Sequence, residues 1–332
     1  MILSICIPTY NRKESLYYCL KSLAKQTTKE FEVCISDNSS NYNIKELLKP
    51  FKKKLNLKVN INKKNLGFAK NVLKVTSMAK GDYIWLLGDD DLLINDSVKS
   101  LLNIINKNKF VKFFWVNTYH LSVNYIRKYN KNFDKNIYPD NIEKHSKVNK
   151  DMVCNFFDLI DKNISFDYLL GIFVCVFHRS SWKRNLHVVN YKLLDDVRIW
   201  SNFENTCFFI KIFCSAFSKS KAYIISKPLS ISLYGIREWN DLYPFVEIVR
   251  IPEALDYYRS QGLGFWRYIL NKNYSLRNFF NYFIKIMIND NRMGKNYVNF
   301  KNHFLKNLIY PNAWLSILYF VYRKIFNIFK KN

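Results

Sequence analysis

Glycine and proline are scarce in this chain of 332 residues, with eight of one and seven of the other. That scarcity excludes collagen-like and low-complexity architectures. A hydrophobic fraction of 49% and an aromatic fraction of 17% exclude a disordered chain. The five histidines form no HxxxH or Cys/His spacing, so no transition-metal motif is present. The seven cysteines (Cys6, Cys19, Cys34, Cys154, Cys175, Cys207, Cys214) contain no CxxC pair, and most lie inside apolar runs such as LSICIP, FEVCIS and GIFVCVF. They read as buried thiols of a reducing compartment, not as a disulfide framework or zinc site. Long apolar runs are missing too. None reaches the roughly 20 residues that span a bilayer, and the longest uncharged run, Asn307–Tyr322, is interrupted by Pro311. Met1–Pro8 is apolar but short and lacks a basic flank, so it does not read as a signal peptide. These absences predict a cytoplasmic chain that does not cross a membrane. Acid is the last shortage: 26 Asp and Glu face 52 Lys and Arg, a net charge of +26. Such an excess concerns partners more than fold, and favours phosphate ligands, nucleic acid or an anionic membrane surface.

What is present begins with regular alternation. Ile2–Ile7 is a short apolar strand, followed by a helix over Lys13–Lys25 with Leu16, Leu20 and Leu23 on one face. Phe31–Ser36 reads as a strand, Ile44–Phe51 as a helix, Leu57–Ile61 as a strand and Phe68–Ala79 as a helix. Tyr83–Leu87 has no polar face and should be a central strand covered on both sides. A helix over Asp96–Asn106 and a strand over Val111–Val116 follow. This β-α repeat predicts an α/β fold, a mostly parallel sheet flanked by helices. Residues 124–151 read as a surface excursion, Leu169–Phe177 as a strand, Ile199–Phe217 as an aromatic helix, and the chain beyond about 240 as helical, aromatic and basic. In parallel sheets ligands bind at the carboxyl ends of strands. Thr9-Tyr10-Asn11, Asp37-Asn38 and Asp89-Asp90-Asp91 all fall there.

Three aspartates directly after a buried strand exceed what helix capping needs, since one carboxylate suffices. They suit a divalent cation, Mn²⁺ or Mg²⁺, shared with a substrate diphosphate. The segments SICIPTYNR (4–12), VCISDNSS (33–40), Asn65-Leu66-Gly67 and GDYIWLLGDDD (81–91) occur in order. Together they resemble the family 2 glycosyltransferases of GT-A fold, and the YIWLLGDDD form is similar to the abequosyltransferase-like enzymes of bacterial surface polysaccharides. The resemblance implies that Pro8, Thr9 and Tyr10 cradle the nucleotide and that Asp37 accepts from the base. It implies that Asn65 and Gly67 line the nucleotide pocket, with Lys70 a phosphate partner. It assigns metal binding chiefly to Asp90, with Asp89 and Asp91 flanking, Asp89 also facing the donor. Gly88 stands where the commoner DxDD form has its first Asp.

An inverting transfer needs a general base at the acceptor hydroxyl, opposite the leaving diphosphate. The resemblance places it at Asp196, with Asp195 as its neighbour and Glu204 in reserve; adjacent carboxylates should raise one another's pKa. Arg179 reads first as a surface arginine and second as extra positive charge near the diphosphate, and His178 has no partner visible in the sequence. The expected layout is a GT-A domain over 1–235, with a nucleotide half (1–118) and an acceptor half (119–235), then a helical region over 236–332. Ala313–Phe329 mixes Trp314, Leu315, Leu318, Phe320, Ile325, Phe326 and Phe329 with Arg323 and Lys324, followed by Lys330 and Lys331, as interfacial helices do. The expected protein is an inverting glycosyltransferase with a nucleotide-sugar donor and a lipid-linked saccharide acceptor, peripheral on the inner face of an anionic membrane. Nucleic-acid binding, nucleotidyl transfer and a catalytically silent scaffold are the alternatives. The first gives no reason for the aspartates, and the second lacks its Gly-rich triphosphate loop.

Overall fold

The computed structural model describes residues 2–128, 142–235, 240–289 and 293–329, with side chains to residue 322. The N-terminal half alternates β1 (Leu3–Thr9), α1 (Lys13–Ala24), β2 (Phe31–Asp37), α2 (Ile44–Leu48), β3 (Leu57–Ile61), α3 (Phe68–Ser77) and β4 (Tyr83–Leu86). After it come β5 (Asp91–Leu93), α4 (Ser97–Lys107), β6 (Phe113–Ser122) and α5 (Val123–Lys128). Beyond the undescribed residues 129–141, part of the expected surface excursion, lie β7 (Glu143–Lys144), β8 (Met152–Asn155), β9 (Cys175–His178), α6 (Arg179–Arg184), α7 (Phe203–Phe217) and β10 (Lys221–Tyr234). Among the described residues the strands form one sheet in the order β3-β2-β1-β4-β9-β6-β10-β5, with β7 on β6 and β8 on β10.

The sheet is parallel where the β-α repeat is clean, from β3 through β4. It becomes mixed where β9 inserts antiparallel between β4 and β6. Both faces are covered, as the apolar strands require. Leu3, Ile5 and Ile7 of β1 pack with Leu16, Leu20 and Leu23 of α1, while Cys6, Ile84 and Leu86 face Val72 and Val75 of α3 on the other side.

Three elements differ from the sequence reading. The apolar run Leu169–Phe177 is a strand only from Cys175, because Ile172–Val174 forms a 3-10 turn whose Phe173 carbonyl accepts the Trp85 indole N–H at 2.8 Å. The aromatic helix starts at Phe203, not Ile199, since the Asn202 side chain caps it and Trp200 has a φ of +64°. The 14-residue strand β10 was not legible at all, with Pro228 and alternating serines inside it.

The C-terminal region is helical, as expected: α8 (Tyr243–Phe245), a π-helical turn Val246–Arg250, α9 (Ile251–Ser260), α10 (Phe265–Ser275), α11 (Phe279–Ile288) and α12 (Pro311–Phe329). Its Leu255, Tyr258, Phe279 and Phe283 share one core with α7 and with Val72 and Val75.

Candidate active site

The aspartate turn joins the ends of β1 and β4. The Thr9 hydroxyl donates to Asp89 Oδ2 at 2.7 Å. Arg12, just ahead of α1, brings Nε to 3.9 Å from Asp89 Oδ1 and Nη1 to 3.6 Å from Asp90 Oδ2. Burial pushes the Asp89 carboxyl up to about 7; Arg12 opposes the rise and the Asp90 carboxylate adds to it. Asp91 behaves differently. It is 1% exposed, its Oδ2 accepts the Gly88 N–H at 2.8 Å, and its backbone opens β5 opposite Ser232 of β10. Leu233 N–H donates to the Asp90 carbonyl at 3.1 Å, so β10 clamps the turn from outside. A Cβ at Gly88 would lie 2.7 Å from both Asp90 Oδ1 and Asp91 Oδ2, which explains why no aspartate stands at that position.

The three aspartates therefore divide, with Asp89 and Asp90 around Arg12 and Asp91 turned onto backbone. Among the described residues no three acidic, histidine or cysteine side chains converge as a complete cation cage. The donor set does fit a hard cation completed by substrate phosphate and water, because Mg²⁺-type sites need only one or two protein carboxylates.

The nucleotide side is built from amides. Asp37 is buried at the end of β2, where it accepts from Ser40 Oγ at 2.5 Å and Ser40 N–H at 3.2 Å. Asn38 donates to Asn65 Oδ1 at 2.7 Å and accepts from Asn62 Nδ2 at 3.1 Å and Leu66 N–H at 2.9 Å. Asn62 also donates to Asn71 Oδ1, and Asn71 donates to the Ser36 carbonyl, both at 3.0 Å. This ladder fixes the 65–67 segment, and Asn65 Oδ1 receives the Gly67 N–H at 2.8 Å. Pro8 and Tyr10 flank buried Thr9 and are half-buried. Burial pushes the nearby Tyr42 hydroxyl, beside Thr9 and Ser40, up to about 12. The structure places Thr9, Asp37, Asn65, Gly67, Asp89 and Asp90 together at the strand ends, with Arg12, Tyr42 and the amide ladder, which the sequence does not single out, beside them. Only Asn71 carried a signal, as a poor helix former inside α3.

The acceptor-side candidates occupy one loop. Gly67, at φ +81°, lets that loop approach: a Cβ there would meet Val197 Cα at 3.2 Å. Lys70 is ion-paired with Asp195. Asp196 holds Arg198 in a fork, Nε and Nη2 both at 2.8 Å, and this pairing keeps its carboxyl well below the usual range. The Asp196 carboxyl is thus lowered rather than raised, because the Arg198 guanidinium pairs with it. Glu204 is buried at the start of α7, accepting from Asn190 N–H and pairing with Lys211, and so serves as scaffold. Arg179 adds no charge at the aspartates. Because β9 runs against β4 with His178 opposite Tyr83, Arg179 lies at the end of the sheet away from the aspartates, and it donates to the Gly81 carbonyl at 2.6 Å. His178 faces the Ser180 hydroxyl at 3.1 Å at the same remote end.

Residues 4–165 match the family described as glycosyl transferase family 2. That segment, just under half of the chain, is similar to the family 2 glycosyltransferases. Over 105 residues it is 41% identical to abequosyltransferase RfbV of Salmonella typhimurium, covering 30% of this chain and 32% of that one. Over 151 residues it is 26% identical to the GalNAc(5)-diNAcBac-PP-undecaprenol beta-1,3-glucosyltransferase of Campylobacter jejuni, covering 45% and 46%. The chain thus spans about a third of the Salmonella relative's length and under half of the Campylobacter relative's. The crystal structure of S. aureus TarS 1–349 in complex with UDP superposes with a TM-score of 0.57 at 17% identity, over 85% of this chain and 72% of that one. The fold is GT-A, with the C-terminal helices added.

Proposed function

We propose that this protein transfers a sugar from a nucleotide-diphosphate donor, with inversion, to a lipid-linked saccharide in bacterial surface polysaccharide or glycolipid synthesis. The observation that carries the reading is the Asp89–Asp90 pair under Arg12, set at the strand ends beside buried Asp37 and the amide ladder. The matched family, the saccharide transfers named for both relatives and the UDP in the TarS complex support it.

In this reading Asp37 accepts from the base, Tyr10 packs beside it, and Pro8, Thr9, Asn65 and Gly67 wall the nucleotide. Asp90, with Asp89, holds Mn²⁺ or Mg²⁺. The bound cation would supply charge neutralisation for the departing diphosphate. Arg12 holds the two carboxylates in place, and Asp91 keeps the turn closed through Gly88 N–H. Lys70 turns from Asp195 to phosphate when the donor arrives, which frees Asp195. Asp196 acts as base once Arg198 releases it, with Asp195 as its neighbour. The working division is a transferase domain to residue 235 and a membrane-facing helical region after it.

That second region presents Trp266, Leu270, Ile309, Trp314, Leu315 and Leu318 to solvent. Phe320, expected in the lipid-facing set, instead packs on Phe280 at 5.3 Å. The side chains of Arg323, Lys324, Ile325, Phe326 and Phe329, and Lys330 and Lys331 entirely, lie outside the described residues. No helix among the described residues is long and apolar enough to cross a membrane. Peripheral docking on an anionic inner leaflet is therefore the arrangement proposed.

The test is a titration of UDP-, GDP-, dTDP- and CDP-sugars with and without Mn²⁺ or Mg²⁺, followed by thermal shift and nucleotide release. One nucleotide should stabilise the protein only with metal and be released as diphosphate when acceptor is added. Indifference to all four, together with tight oligonucleotide binding, would sink the proposal.

A further inference from the structure

Arg250 ends the turn Val246–Arg250 and is 3% exposed. Two of its donors converge on one acceptor: Nε at 3.2 Å and Nη2 at 2.7 Å from the Trp200 carbonyl. Its Nη1 donates to Glu253 Oε2 at 2.5 Å, and its guanidinium lies 4.8 Å from the Phe245 ring centre. His303 Nδ1 accepts the Asn299 N–H at 2.8 Å, which leaves the ring hydrogen on Nε2 to donate to Glu253 Oε1 at 3.0 Å. A chain of contacts therefore runs from residues 299–303, through Glu253 and Arg250, to the backbone of Trp200.

Trp200 closes the loop that carries Asp195 and Asp196. Its φ of +64° is uncommon for a bulky side chain and persists only where the surroundings fix it. Two anchors do so: Thr206 Oγ1 takes the Trp200 N–H at 2.9 Å, and Arg250 takes the carbonyl. Asn205 holds the carbonyls of Asp196 and Arg198 at 2.9 and 2.7 Å, and Tyr297 lies under the Arg198 guanidinium at 5.7 Å. Burying a guanidinium is a poor way to gain stability, since desolvation consumes most of the attraction. Its rigid fork is a good way to fix a carbonyl in space.

We infer that Arg250 is a positioning residue, through which the C-terminal helical region sets the backbone of residues 195–200 and the place of Asp196 against the donor pocket at Gly67 and Lys70. This rests on the reading of Asp195 and Asp196 as acceptor-side carboxylates. The C-terminal region then completes the site as well as facing the membrane.

The test compares Arg250→Lys with Lys272→Met in the full chain. Lys272 is buried in the same region, bonded to Asp256 and the Pro252 carbonyl, and meets the Arg250 group only through the charge of Glu253. Arg250→Lys should lower kcat by about 10- to 100-fold, the scale set by sub-ångström to 1 Å misplacement, with donor KM unchanged. Lys272→Met should lower the melting temperature without that loss. The second readout is ¹⁹F NMR of protein carrying 5-fluorotryptophan, with the Trp200 line assigned by Trp200→Phe. Arg250→Lys should shift or broaden that line, and Lys272→Met should not. An unmoved Trp200 line overturns the inference whatever the turnover. So does an equal kcat loss in both variants. A moved line with no wild-type transfer from any nucleotide sugar leaves Arg250 holding the loop and overturns instead the reading of Asp196.

Discussion

Gly88 shows how one missing side chain shapes the site. Both Asp90 and Asp91 fold into the space its Cβ would fill, and Asp91 takes its N–H. Gly88→Ala should therefore turn both carboxylates outward, cost about 1–3 kcal/mol of stability as overpacking does, and abolish metal-dependent stabilisation by the donor. A calorimetric scan with and without Mn²⁺ checks both parts, and a variant with wild-type metal response would contradict the geometry. Asp89 makes a pH prediction. Its carboxyl stays protonated in the folded protein to about 7, whereas the unfolded chain loses that proton near its ordinary value of 3.8. The folded state therefore binds more protons between those values, and stability from this group falls as pH rises from 4 to 7 and is level above. Asp89→Asn should gain stability relative to wild type at pH 8 compared with pH 4.5, measured by urea melts. A constant difference across that range would refute the shift. Much at this scale was legible because motif residues sit at strand ends, where backbone order places them. Arg12 and Tyr42 were not, since their importance lies in what they touch across the loop and no spacing rule encodes it.

At the scale of elements, legibility followed regularity. The strands β1 to β4 and their helices were readable because each has one covered pattern and short polar turns. The reading failed where a tertiary bond overrode a local preference. Phe173 gives its carbonyl to Trp85, which bends an apolar run out of the sheet. Asn202 caps α7, so the helix begins at Phe203, four residues after the sequence pattern does. Strand β10 hid for another reason: its second half is buried between β6 and β5, and Ser230 donates across to the Thr118 hydroxyl of β6 at 2.9 Å. Alternating serine looks like solvent exposure until a partner strand supplies the hydrogen bonds. The acceptor loop behaves similarly, since Asn205, Arg250 and Gly67 reach it from three separate elements.

Over the whole molecule the +26 charge is better matched to a surface than to the pocket, where two carboxylates face a single Arg12. Exposed apolar residues occur in several places, and a group of them lies on α10, α12 and the turn before α12, where the Trp314 indole donates to the Leu308 carbonyl at 2.6 Å and so stands beside exposed Ile309. Removing residues 313–332 should weaken sedimentation with phosphatidylglycerol vesicles by about tenfold or more, given roughly 25 cal/mol per Å² of apolar area withdrawn from water. Unchanged binding would return α12 to the protein's own packing.

The clamp of β10 on the aspartate turn bears on the order in which the protein assembles. Asp91 pairs with Ser232, and Leu233 N–H holds the Asp90 carbonyl, about 140 residues further along the chain. A nascent chain that has emerged only through the family 2 segment has its nucleotide half but no strand to close the turn against. Contacts of such sequence separation form late, after the entropy of closing the intervening loop is met. The aspartate turn, although encoded within the first hundred residues, gains its β5–β10 pairing only when the far end of the sheet has been synthesised and docked.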